Sequence, residues 1–134
     1  MFAAIAVVEA NITVPSAPTC HSTAPVPFLE MSGTADPKVK FEGRTPEGPG
    51  VSGLWSTMET VNYFRTLDGC ADQTSVEHLP GPQGGPTGTD VTRWTQCSKA
   101  PVVLYKIIGG VHAVPKAPFA ANQLWAFFKD FAKT

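Results

Sequence analysis

The chain has 134 residues, enough for one domain with its own core, and ten Lys and Arg against eleven Asp and Glu leave a formal net charge of −1. This balance excludes the basic footprint of a nucleic-acid-binding protein, and no apolar run approaches the roughly eighteen residues that span a bilayer. With 43% hydrophobic and 16% charged residues, wholesale disorder is excluded, and thirteen Pro with twelve Gly imply shaped loops between short elements of a soluble globular chain.

Phe2 to Val8 is apolar, but no Lys or Arg precedes Lys38, so the charged start of a signal peptide is missing, and Glu9 and Asn11 end the run. Ala3 to Val8 instead predicts a buried strand covered on both faces, as in a parallel sheet. Asn11-Ile12-Thr13 is a glycosylation sequon, meaningful only on a eukaryotic secretory route. After a Pro-rich connection from Pro15 to Pro27, Phe28 to Ser32 predicts a second strand, stopped by Gly33-Thr34-Ala35-Asp36-Pro37.

Ser56-Thr57-Met58-Glu59 is a capping box that opens a helix carrying Met58, Val61, Phe64 and Leu67, with Gly69 as its stop. Thr74 to Leu79 and Val91 to Thr95 predict two short strands around the irregular loop Pro80 to Gly88. This is a hairpin-like excursion over about 71–97, and its ends either carry a Cys70–Cys97 staple or two free thiols. Val102 to Ile108 predicts the third strand of the main series, stopped by Gly109-Gly110. A last helix opens after Pro118, its wide apolar face formed by Phe119, Leu124, Trp125, Phe127, Phe128 and Phe131, with Lys129 and Lys133 near its negative end. The alternation of strands and helices defines the α/β class with a mostly parallel sheet in a single domain, 1–134.

In open α/β sheets, chemistry gathers beyond the carboxyl ends of the strands. Asp36 follows the second strand there, its aim restricted by Pro37, and His112 follows the third within Gly109-Gly110-Val111-His112. Meeting across neighbouring strand ends, the carboxylate would fix the imidazole tautomer while the other ring nitrogen moves protons. The plainer reading makes Asp36 a turn cap and His112 a satisfied polar group. Cys20-His21 with Cys70, Cys97 or His78 lacks the C-x-x-C spacing of a zinc site, and the Gly84-Gly85 loop lacks what a phosphate cradle needs. Trp55, Tyr63 and Phe64 read as core rather than as a binding stripe.

Pro25 to Pro37 with Phe41-Glu42-Gly43, then Gly69-Cys70, Trp94 to Cys97, and Gly109-Gly110-Val111-His112 together resemble the C-terminal half of an α/β-hydrolase. They look most like the secreted esterases grouped with polyhydroxybutyrate depolymerases and feruloyl or acetylxylan esterases. The resemblance implies Asp36 as triad acid, His112 as triad base, a Cys70–Cys97 disulfide, an extracellular parent enzyme, and an ester of a polyester or acylated polysaccharide as substrate. It implies no metal and no organic cofactor.

The chain departs from that pattern in lacking the nucleophile. None of Ser16, Ser22, Ser32, Ser52, Ser56, Ser75 and Ser98 sits in a Gly-x-Ser-x-Gly elbow between strand and helix. Val111 and Val114 stand where the family tends to have Gly and Trp. The expectation is therefore a truncated domain, with Met1 an internal methionine or the start of a truncated gene, inactive alone and poorly soluble because its first strand forms an uncovered apolar edge. The alternative is a non-catalytic binding protein on a hydrolase-derived scaffold.

Overall fold

In the computed structural model, which describes residues 2–20, 22–49, 52–81, 88–116 and 119–131, the largely apolar run Val102–Ile108 is the hub of a five-stranded sheet. The strands are β1 (Ile5–Val8), β2 (Phe28–Gly33), β3 (Thr74–Leu79), β4 (Gly88–Trp94) and β5 (Val102–Ile108), in the spatial order β1-β2-β5-β4-β3. β1, β2 and β5 run parallel, with Ile5 opposite Phe28 and Phe28 opposite Val102. β4 and β3 complete the sheet antiparallel.

The period-two alternation of β-strands sends successive side chains to opposite faces and so builds two cores. On one face Leu29, Met31, Val103, Tyr105, Ile107 and Val91 meet helix α2 (Phe119–Phe128) through Ala120, Leu124 and Phe127. On the other, Phe28, Val102, Leu104 and Trp94 meet helix α1 (Thr57–Asp68) through Val61 and Phe64. Phe64 stacks on Phe28 with ring centroids 3.7 Å apart. β2 is buried along its whole length, as a strand covered on both faces must be.

α1 starts and stops where its local chemistry requires. The Ser56 hydroxyl accepts from the Glu59 backbone N–H, the Glu59 carboxylate accepts from the Ser56 N–H, and Gly69 takes the left-handed cap conformation at φ 66°. Just beyond it, Cys70 and Cys97 form a disulfide at the base of the β3–β4 hairpin.

Several expectations change in the folded chain. β1 lies at the edge of the sheet, as expected of a truncated domain, and is half-buried rather than buried, Ala6 and Val8 packing against one core and Ile5 and Val7 against the other. The 71–97 segment is no excursion, because β4 pairs with β5 over six residues and extends the main sheet. β4 also starts at Gly88 rather than Val91, since the paired register carries the ladder to Ile108. Trp125 is 70% exposed, and Phe128 and Met58 are also exposed, so the apolar stripes of both helices are wider than the surfaces that cover them. Lys133, Pro118, His21, Met1 and the Gly84-Gly85 part of the hairpin loop lie outside the described residues.

Candidate functional site

Two strand-end loops are bound tightly together beyond the carboxyl ends of β2 and β5. The Thr34 N–H donates to the Ile107 carbonyl at 3.0 Å, the Ala35 N–H to the Gly110 carbonyl at 2.9 Å, and the Gly109 N–H to the Thr34 hydroxyl at 2.7 Å. This approach requires glycine: a Cβ on Gly33 would run into the backbone carbonyl of Gly110, and one on Gly110 would come within 2.9 Å of the Gly33 Cα.

The same contact carries Asp36 to His112 across 76 residues of sequence, and His112 Nδ1 lies 2.8 Å from Asp36 Oδ2. The other carboxylate oxygen, Oδ1, accepts from the backbone N–H groups of Lys38 at 2.7 Å and Val39 at 2.8 Å. Burial alone would push the Asp36 carboxyl up; hydrogen bonds from Glu9, His112, Val39 and Lys38 outweigh it and hold the group below its ordinary value. An ionised Asp36 accepts a hydrogen bond from Nδ1–H and thereby sets the imidazole tautomer. The Asp36 side chain is fully buried whereas that of His112 is 37% exposed, so Asp36 can reach a solvent-borne reactant only through the imidazole.

A third group completes the cluster. Glu9, the residue after β1, is buried, and one of its carboxyl oxygens lies within 4.8 Å of both Asp36 and His112. Its Oε2 accepts from the Gly33 N–H at 3.3 Å. Burial is the largest cause raising the Glu9 carboxyl to about 8, followed by its hydrogen bond with Asp36. Nearby on β2, Glu30 is fully buried and also raised to about 8, chiefly by burial, with the Ser32 hydroxyl donating to its Oε1 at 2.8 Å.

Glu9, Asp36 and His112 are close enough to face one cation. Both Asp36 oxygens accept hydrogen bonds, and a Glu9 raised to about 8 keeps its proton at neutral pH.

The structure therefore joins Asp36 and His112, and it joins Cys70 to Cys97 in the disulfide. That bridge removes both thiols from any zinc set with Cys20, while His78 pairs instead with Asp90 at 2.8 Å. Among the described residues no serine bonds to His112. Ser32, nearest Asp36 in sequence, is buried and spends its hydroxyl on Glu30. Phe64 is half-buried and packs against the core, whereas Trp55 and Tyr63, also half-buried, line an open groove with Ser22 and Asn62. Sequence reasoning missed Glu9 and Glu30. Glu9 carried a usable signal, because it stands at the carboxyl end of a strand parallel to the two that present Asp36 and His112.

No family model matches the chain, and a comparison with curated proteins finds no match.

Proposed function

We propose that this chain supplies the acid and the base of a serine-type carboxylic ester hydrolase of α/β-hydrolase type. One observation carries the reading: the 2.8 Å hydrogen bond between buried Asp36 and partly exposed His112, on loops beyond adjacent parallel strands. The parallel order β1-β2-β5 around it and the resemblance of Pro25 to Pro37 and Gly109 to His112 to polyhydroxybutyrate depolymerases and feruloyl esterases support it.

In this reading the nucleophile is a Ser outside residues 1–134, and the chain alone is inactive. That Ser attacks the ester carbonyl as the outward nitrogen of His112 takes its proton. His112 then delivers the proton to the leaving alkoxide, while Asp36 stabilises the imidazolium. Water releases the acyl group by the same steps in reverse. The substrate is a polyester or an acylated polysaccharide, and the parent enzyme is secreted.

In the source polypeptide that holds these residues, Asp36→Asn is expected to lower ester turnover by a factor on the order of 10⁴. Steady-state hydrolysis of a p-nitrophenyl ester measures it, and turnover within a few fold of the unaltered protein removes Asp36 from the mechanism.

A further inference from the structure

Glu9 is expensive to keep where it is. It is the one non-glycine among the described residues with a positive φ, at 52°, a conformation that costs a branched-at-Cβ or long side chain on the order of 1 kcal/mol. Its side chain is buried, its Oε2 takes the Gly33 N–H, and its Oε1 is buried with no donor to satisfy it. A buried oxygen with no donor, set beside the Asp36 carboxylate, is satisfied only if it carries the proton itself.

We infer that Glu9 is a positioning residue for the acid–base pair: its carboxyl stays protonated, donates a hydrogen bond to Asp36, and holds that carboxylate aimed at His112. The inference rests on the reading of Asp36 and His112 as acid and base. With both Asp36 oxygens already accepting from Lys38, Val39 and His112, the Glu9 donor fills a remaining lone pair and closes the cage around the carboxylate. Both shifts agree with one shared proton lying on Glu9, since the Glu9 carboxyl is raised and the Asp36 carboxyl lowered. The charged or titratable groups facing Glu9 are Asp36 from the loop after β2, His112 from the loop after β5, and Glu30 from β2. Ionisation of Glu9 would set two carboxylates against each other within a buried cluster, which loosens the aim of Asp36.

The test is a carbon-13 titration of the Glu9 side-chain carboxyl in the whole chain, repeated in Asp36→Asn. The expected midpoint is near 8 instead of the ordinary 4.5, falling by about one unit or more when the Asp36 charge is removed. Glu9→Gln, which still donates, retains the downfield Nδ1–H proton signal of His112, while Glu9→Ala loses it. A Glu9 midpoint near 4.5 overturns the inference without any variant having to fold. A high midpoint that Asp36→Asn leaves unmoved also overturns it, because burial alone then accounts for the proton. Neither readout involves an ester, so a source protein without esterase activity sinks the hydrolase reading separately, and an ordinary Glu9 midpoint in an active enzyme sinks only this inference.

Discussion

At the scale of single residues, the site depends on what is missing from Gly33 as much as on what Asp36 and His112 bring. The two loops touch backbone to backbone, and the hydrogen bonds of Thr34, Ala35 and Gly109 exist only because no side chain separates them. Gly33→Ala is therefore expected to force the loops apart at a cost of about 1–3 kcal/mol, the scale of overpacking in a close-packed region. It should also break the Asp36–His112 bond. Chemical denaturation measures the first effect and loss of the downfield His112 proton the second; a variant as stable as the parent with that proton intact would show that the loops have slack.

At the scale of elements, the β3–β4 hairpin is held by its register with β5 and by the Cys70–Cys97 bridge. β3 is exposed along nearly its whole length and adds little burial of its own. The bridge links cysteines 27 residues apart, so the Cys70→Ala/Cys97→Ala variant is expected to lose about 3–4 kcal/mol, mainly through the freed entropy of the unfolded chain. Urea unfolding reads this directly, and a loss below about 1 kcal/mol would mean that strand pairing alone holds the hairpin. α1 was legible to the residue because the capping box and Gly69 are local signals. β2 and β5 were legible because continuous apolar runs between turn residues admit few other readings. The apolar run of β1 does not by itself say how many neighbours the strand has, and its edge position was expected only from the resemblance to a truncated domain. The exposed faces of Trp125 and Met58 were hidden for the same reason: periodicity reports a face and not the area that covers it. Asp36 and His112 were found from their places after strands and Glu9 could have been, whereas the burial of Glu9 and Glu30 follows from tertiary contacts that no spacing encodes.

At the scale of the whole molecule, three buried acids set the pH dependence of stability. Glu9 and Glu30 are raised from 4.5 to about 8, and Asp68 from 3.8 to about 6, in each case chiefly by burial. An acid whose folded pKa lies above its unfolded value stabilises the fold least when both states are ionised. Stability is then greatest below the unfolded pKa and declines as pH rises to the folded one. Asp36 works in the opposite direction, but only at acid pH, where its lowered carboxyl begins to take a proton. Stability should therefore fall from about pH 5 to about pH 8, by as much as about 1.4 kcal/mol per unit for each acid that only the folded chain keeps protonated. Thermal melts across that range measure it, and a melting temperature that holds level or rises would mean that these carboxyls are hydrated in the folded protein.

Asp36 and His112 are proposed to serve a serine outside these 134 residues. Fluorophosphonate labelling of the native source extract tests it most directly, followed by mass analysis of the polypeptide that contains the peptides around Phe28–Gly33 and Val102–Ile108. The expected result is a labelled species well above the mass of 134 residues, modified on a Ser in a Gly-x-Ser-x-Gly elbow upstream of Met1. An unlabelled polypeptide of 134 residues would remove Asp36 and His112 from a serine hydrolase.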